Sequence, residues 1–216
     1  MPIDITAATT RAATSPAATP GTGPPVRGTR ERIVDASAEL FSRHGYAGTG
    51  LKAILAESRA PYGSLYHFFP GGKEELGAIA LRSSGLTYLA LVEAYYPEGV
   101  DLVAATRDFF AGAADVLWAT DFADACPIAT VALEIAGTSE PMREAAAEAF
   151  ESWLAVLQRR FREAGIPRGR ARELAVELFC AIEGAFLLCR VTRSTEALVA
   201  AGRAAAVSLA AALDRA

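Results

Sequence analysis

The chain has 216 residues, of which 52% are hydrophobic and 21% charged, and its formal net charge is −4. A chain of this length can bury a substantial core as one elongated domain or two small ones, and its Ala-rich composition favours helix over sheet. The three cysteines (Cys126, Cys180 and Cys189) are widely spaced without a C-x-x-C pair, which argues against a disulfide framework or structural zinc. No metal or other cofactor is therefore expected.

The charge is unevenly distributed along the chain. Residues 27–73 hold seven basic and four acidic side chains, whereas residues 74–216 hold 13 basic and 20 acidic ones. A locally basic segment on an acidic carrier is typical of a module that binds a polyanion. The excess is small and does not identify the partner by itself.

The N-terminal segment, residues 1–26, has no periodic hydrophobic residues, and we expect a disordered tail. It lacks the continuous apolar core of a signal peptide. The most apolar later stretch, residues 197–213, is mostly alanine and is interrupted by Gly202 and Arg203, so it is expected to be too short and too weakly hydrophobic to span a bilayer. These features, with the cysteine usage, predict a cytoplasmic protein.

Three short helices are predicted between Thr29 and residue 67. The first is capped by the Thr29 hydroxyl and ends at Gly45, the second covers Leu51–Ser58, and the third covers Tyr62–His67 with Pro61 in its first turn. A turn of about three residues between the second and third helices is the helix-turn-helix plan, in which the third helix enters the DNA major groove.

Longer helices are predicted from Lys73 to the C-terminus. Pro97, Gly137 and Gly165 interrupt the helical periodicity, and Asp101 is placed to cap the helix that follows it. The prediction is an all-α chain of about nine helices with no strand. Its domains are a tail (1–26), a helix-turn-helix domain (27–73) and a second helical domain (74–216).

Two blocks of sequence carry a family resemblance. Residues 33–46 read IVDASAELFSRHGY and residues 63–76 read GSLYHFFPGGKEEL, and together they resemble the DNA-binding domain of the TetR family of transcriptional regulators. The resemblance implies a homodimer that binds a palindromic operator in double-stranded DNA, most often as a repressor. It also implies a small-molecule effector bound by the C-terminal domain.

The resemblance also suggests the residues that would contact DNA. Hydroxyl and ammonium groups at Thr49, Lys52, Tyr66 and Lys73 would hold phosphates, and Tyr62, Gly63 and His67 would face base edges or the sugar-phosphate wall. The full predicted set is Thr49, Lys52, Arg59, Pro61, Tyr62, Gly63, Ser64, Tyr66, His67 and Lys73.

Two positions depart from the family pattern. Arg59 stands in the turn where relatives usually carry glycine, a place that tolerates a left-handed backbone. Gly50 stands where relatives usually carry a Ser or Thr cap, so the second helix is expected to be capped more weakly.

The last two helices are expected to form the dimer interface, over residues 168–215. The eighth helix is apolar on more than one stripe, which suggests a partner subunit, and the ninth presents small side chains that permit close helix approach. The resemblance implies that the last two helices of each subunit form a four-helix dimer interface. The alternative is that both simply pack inside the monomer.

The middle helices are expected to enclose the effector, because aromatic walls with a few polar groups are typical of ligand pockets. The stretch from Cys126 to Glu134 resembles the YxaF/LmrA-like branch of the family, which implies an aromatic or otherwise largely apolar effector. The predicted lining residues are Tyr88, Phe109, Phe110, Trp118, Cys126, Thr130, Glu134, Phe150, Trp153 and Phe186.

Two alternatives remain open at this point. Cys126 precedes a predicted helix N-terminus, which would favour its thiolate, so the chain could be a thiol-based redox sensor. A helical enzyme that binds a small molecule is the second alternative, but both histidines lie in the first third of the chain and no nucleophile and base are paired in sequence. The chain is therefore predicted not to be an enzyme.

Overall fold

The structure is a computed structural model that describes residues 28–124 and 126–215, and the predicted tail at 1–26 lies outside them. Nine α-helices, with no strand, make up this part of the chain, as the sequence predicts. They are α1 Thr29–His44, α2 Leu51–Glu57, α3 Ser64–Phe68, α4 Gly72–Tyr95, α5 Leu102–Ala119, α6 Pro127–Ile135, α7 Glu140–Glu163, α8 Arg168–Thr192 and α9 Glu196–Leu213.

The helix ends test the capping predictions. Asp101 caps α5 as expected, since its carboxylate accepts bonds from the N–H groups of Val103 and Ala104. The prediction for Thr29 was wrong, because Gly28 occupies the cap position of α1 and supplies no side chain. Gly50 precedes α2 and likewise provides no side-chain cap. The third helix starts at Ser64 rather than Tyr62, and Pro61 forms a turn before it, in which the Ser64 N–H bonds to the Pro61 carbonyl.

The described residues divide into two compact units. The first unit comprises residues 28–87 and 127–148, and the second unit comprises residues 88–124, 126 and 149–215. Helices α4 and α7 contribute residues to both. The units do not follow the boundary predicted at residue 73, because the start of α4 is buried at Leu76 and Leu81 and because α6 packs against α1.

In the first unit, α1 packs against α2, α3 and α6. The apolar side chains at its centre are almost fully buried: Ile33, Phe41, Ile54, Leu65, Phe69 and Leu76. Leu65 and Phe69 lie one helical turn apart, so together they anchor the inner side of the short helix α3. This anchoring leaves the other side of α3 free to face outward.

In the second unit, α9 packs closely on α5 and α8. Gly202 permits the approach to α5, since a Cβ at this position would lie 2.6 Å from the Cβ of Phe110. By length and hydropathy alone α9 could cross a membrane, so the sequence argument against a span at residues 197–213 is weaker than expected. Packing against α5 and α8 buries one side of this apolar helix within the protein.

Candidate functional site

The outer side of α3 and the turn before it form the candidate DNA-binding surface. The side chains of Tyr62 and Tyr66 are 71% and 59% exposed, although large aromatic side chains are normally buried. Pro61, Gly63 and His67 are also exposed. The inward anchors Leu65 and Phe69 fix the orientation of α3, so the exposed rings have a defined direction.

Two exposed basic residues belong to the same unit. Lys52 lies in the first turn of α2, and Arg59 follows its C-terminus. Arg59 has φ +51°, so of the two possibilities at this position, a strained left-handed turn or a different turn, the backbone takes the left-handed one. Exposed cations of this kind bind phosphates without reading sequence.

Thr49 does not lie on this surface. Its side chain is 2% exposed, and its hydroxyl donates to the carbonyls of Gly45 at 2.7 Å and Leu40 at 3.2 Å. The predicted phosphate contact through this hydroxyl conflicts with the geometry, because the group is already used inside the protein. Thr49 instead fixes the turn between α1 and α2.

Lys73, also predicted to bind phosphate, contacts the same turn. Its ammonium donates to the carbonyl of Tyr46 at 2.6 Å and lies 4.1 Å from the centroid of the Tyr46 ring. Burial lowers the pKa of Lys73, and the nearby Glu134 carboxylate opposes that shift. An ammonium group has three donors, so this bond still leaves Lys73 capable of a phosphate contact.

Glu134, predicted to line the effector pocket, instead contacts the turn between α1 and α2. Its carboxylate is exposed in the first unit and accepts bonds from the N–H groups of Tyr46 at 3.0 Å and Ala47 at 2.6 Å. Thr130, also predicted as a pocket residue, lies on α6 of the same unit and is half-buried.

The predicted pocket residues of the second unit form two aromatic clusters. Trp153 is fully buried, with ring centroids of Tyr88, Phe150 and Phe179 within 5.9 Å of its own. Phe109 packs against Phe110 and against two further rings, Tyr95 and Tyr96. Phe179, Tyr95 and Tyr96 were not among the predicted pocket residues.

Two predicted pocket residues lie elsewhere in this unit. Trp118 is 72% exposed and packs edge-on against Phe122, so it is a surface residue and not a wall of an enclosed pocket. Phe186 is half-buried on α8. A groove between α8 and α9, which Phe161 of α7 also lines, is lined by none of the ten predicted residues.

A polar group that sequence analysis missed lies beside the Trp153 cluster. Burial raises the pKa of Glu183 to about 7, and a hydrogen bond with the Cys126 thiol partly offsets this rise. Burial also raises the pKa of Tyr88, reinforced by Cys126, Asp124 and Glu183. The sequence signal was a single acid within the apolar stretch of α8 between Ile182 and Phe186.

The same arrangement bears on the redox hypothesis. Cys126 is buried and its thiol is hydrogen-bonded to Glu183. Cysteines that act as redox sensors are solvent-accessible. The geometry therefore gives no support to Cys126 as a thiol sensor.

A short helix that presents aromatic and basic side chains, preceded by a turn and a second short helix, is the arrangement of helix-turn-helix DNA-binding proteins. Comparison with known proteins places the chain within this class. Residues 33–78 match the bacterial regulatory proteins of the tetR family, and residues 103–204 match the C-terminal domain of LmrA/YxaF-like transcriptional regulators.

The relatives agree with these matches. The HTH-type transcriptional regulator YxaF of Bacillus subtilis is 38% identical over 159 residues, which cover 74% of this chain and 83% of YxaF. LmrA of the same organism is 33% identical over 170 residues, covering 79% and 90% of the two chains. The crystal structure of a TetR regulatory protein from Rhodobacter sphaeroides superposes with a TM-score of 0.75 at 22% identity, covering 83% of this chain and 98% of that chain.

The chain belongs to the TetR family of transcriptional regulators and carries an LmrA/YxaF-like C-terminal domain. It is a DNA-binding regulator, in a family whose members are dimers. The family consists of regulators and not of enzymes.

Proposed function

We propose that the protein is a cytoplasmic repressor that leaves a palindromic operator when a small, largely apolar or aromatic effector binds to the second unit. The observation that carries the DNA-binding half is the outward placement of Tyr62 and Tyr66 beside an anchored helix. We assign DNA contacts to Lys52, Arg59, Pro61, Tyr62, Gly63, Ser64, Tyr66, His67 and Lys73, and we omit Thr49.

The dimer is proposed to form through α8 and α9. Exposed apolar side chains follow one another at helical spacing on α8, at Val176, Leu187, Leu188 and Val191, and α9 adds Val199 and Val207. Exposed apolar stripes of this extent mark protein–protein interfaces. Two copies of α3 could then read the two half-sites of a palindrome.

The effector is proposed to bind at the Trp153 cluster. Four aromatic rings together with a carboxyl, a thiol and a phenol provide the apolar walls and few polar groups that ligand sites need. A ligand that favours one of two states of the dimer shifts the population toward that state, and operator DNA must then weaken ligand binding by the same factor.

A mobility-shift titration tests the DNA-binding surface. The probe is DNA from the region upstream of the gene, and the variants are Tyr66→Ala and Tyr66→Phe. We expect saturable binding by the wild type, a loss of about tenfold or more in Tyr66→Ala, and a smaller loss in Tyr66→Phe, which keeps the ring. Equal binding by wild type and Tyr66→Ala would exclude this surface.

Tryptophan fluorescence tests the effector site. The chain has two tryptophans, so Trp118→Phe leaves the buried Trp153 as the reporter. A flat polyphenol used as the probe should quench this emission and raise Tm, and Trp153→Phe should weaken its binding. Stabilisation by the probe with unchanged Trp153 emission would place the site elsewhere.

A further inference from the structure

We propose that Glu134 is a positioning residue for DNA binding: from α6, its carboxylate holds the α1–α2 turn in the conformation in which the helix-turn-helix binds DNA. This inference goes beyond the proposed effector response and rests only on the DNA binding of the family. The residue touches the peptide groups of the turn, and we assign it no contact with DNA.

The turn is built around this carboxylate. Glu134 accepts bonds from two successive peptide N–H groups, those of Tyr46 and Ala47, and such charge-assisted bonds are about twice as strong as neutral ones. Gly45, with φ +72°, precedes them, and any Cβ at this position would collide with Glu134 Oε1. The backbone of the turn therefore requires glycine for both its conformation and the approach of the acid.

A second side chain holds the same peptide segment. Lys73, in the first turn of α4, bonds to the Tyr46 carbonyl and covers the Tyr46 ring. Tyr46 is thus held at its N–H by α6 and at its carbonyl by α4. The Lys73 ammonium also interacts favourably with the Glu134 carboxylate, so the two contacts support each other.

The held turn leads directly into α2. Thr49 bonds back to the Gly45 carbonyl at its end, and α2 begins at Leu51, one residue before Lys52. A change in the turn therefore moves the start of α2 relative to α1. Binding geometry is sensitive to displacements of about 1 Å, so release of the turn should reduce the fraction of protein able to bind DNA.

The contact of Glu134 with the turn joins the parts of the chain that match two different family domains. Glu134 lies within the match to the LmrA/YxaF-like C-terminal domain, which begins at residue 103, yet its partners lie within the match to the DNA-binding domain. Residues of the C-terminal domain thus complete the fold of the DNA-binding turn. The turn is incomplete in any chain cut between these two domains.

Electrostatics alone predicts the opposite result. Removing an acid from a DNA-binding unit reduces repulsion of the phosphates and should strengthen binding. The positioning role of Glu134 predicts weaker DNA binding instead. It also predicts an order of DNA affinity among the Glu134 variants. Glu134→Gln keeps an oxygen that can accept an N–H bond and should bind DNA better than Glu134→Ala.

The salt dependence of binding separates positioning from direct contact. Loss of a phosphate contact reduces the slope of log K against log salt by about 0.9. Loss of positioning lowers the fraction of free protein that is able to bind DNA. Because the contacts in the bound state are unchanged, the slope stays the same. Lys52→Ala provides the reference for a lost contact.

The experiment uses the full chain and an operator duplex that the wild type selects from a random pool. Variants Glu134→Ala and Glu134→Gln are compared with Glu144→Ala, which removes an exposed acid from α7 of the same unit. Amide hydrogen exchange at Tyr46 and Ala47 reports the turn in free protein, and anisotropy titrations at several salt concentrations report affinity and slope.

We expect faster exchange at both amides and an affinity loss of about tenfold in Glu134→Ala, with an unchanged slope and a smaller loss in Glu134→Gln. Glu144→Ala should bind as tightly as the wild type or slightly better. Three results would overturn the proposal: unchanged or tighter binding by Glu134→Ala, equal losses in Glu134→Ala and Glu144→Ala, or a slope reduced as in Lys52→Ala.

Discussion

The turn around Tyr46 and the surroundings of Trp153 are ordered by different forces. At Tyr46, a carboxylate, an ammonium and a buried hydroxyl bond to peptide groups over the short stretch from Gly45 to Thr49. At Trp153, three aromatic rings pack at centroid distances of 5.3–5.9 Å. The first region is fixed by directional bonds, and the second by packing.

This difference matches what each region has to do. Directional bonds fix a backbone to a defined geometry, which a surface that reads DNA requires. Apolar packing tolerates repacking at modest cost as long as total volume is kept, which suits a region proposed to admit an effector. Substitutions that remove packing at Trp153 and substitutions on the DNA-binding surface should therefore differ in their effects on stability.

The largest expected effect is the loss of packing at Trp153. Trp153→Ala should lower the free energy of unfolding by about 3–5 kcal/mol, because a fully buried indole leaves a cavity among three rings. Urea denaturation at fixed protein concentration measures this change. Tyr66→Ala, on the exposed side of α3, should change stability by less than about 0.5 kcal/mol. Equal losses in the two variants would show that Trp153 packing is not what stabilises the second unit.

The helix-turn-helix part of the first unit was largely predictable from sequence, because most of its signals are local. The short helices follow from neighbouring residues, whereas the expectations of a special turn at Arg59 and a weak cap at Gly50 came from the family resemblance. The burial of Thr49 and the contact of Glu134 were missed. Glu134 is 88 residues from Tyr46, and one sequence carries no signal for a contact at that separation.

The second region was predicted less well for a physical reason. Aromatic residues at helical spacing have the same pattern whether they line a pocket, fill a core or lie on the surface. Trp153 is fully buried and Trp118 is exposed, although the same sequence pattern predicted both as pocket residues. The difference in burial between these two tryptophans depends on how the helices pack. The proximity of Glu183 to Cys126 depends on helix packing in the same way.

The next largest effect concerns the exposed apolar stripe of α8. Leu188→Glu places a charge within the proposed interface and should weaken the dimer by about 2 kcal/mol or more. Sedimentation velocity across a concentration series measures the change, and operator affinity should fall with it. Leu133→Glu is the matched control, since Leu133 is 90% exposed on α6 and lies outside the proposed interface. Both variants remaining dimeric would exclude this part of α8.

Glu183 gives a pH dependence of stability. Its pKa is raised from 4.5 to about 7 in the folded chain. Between these values the unfolded chain releases a proton that the folded chain keeps, so stability is full below pH 4.5 and falls as pH rises towards 7. The loss is about 1–2 kcal/mol, below the full value of the shift because the side chain is partly exposed. Urea midpoints of Glu183→Gln should fall less over this window, whereas the exposed Glu98→Gln should follow the wild type.

The smallest effect tests whether the backbone of the first unit is under strain. Arg59 holds a left-handed φ of +51°, which costs a non-glycine residue about 1 kcal/mol or more. Arg59→Gly should relieve this strain and raise the free energy of unfolding by about 0.5 kcal/mol, after the larger loss of chain entropy on folding a glycine. Urea denaturation at pH 7 measures the gain.

The same position separates backbone strain from charge. Arg59→Asn tolerates the left-handed conformation and, like glycine, removes the guanidinium. If Arg59 contacts a phosphate, both variants should reduce the salt slope of operator binding by about 0.9. The free energy of unfolding should rise in both variants. This rise should not vary with salt concentration in the way that operator binding does. A fall in stability in both would show that the Arg59 side chain stabilises the turn by more than its backbone strains it.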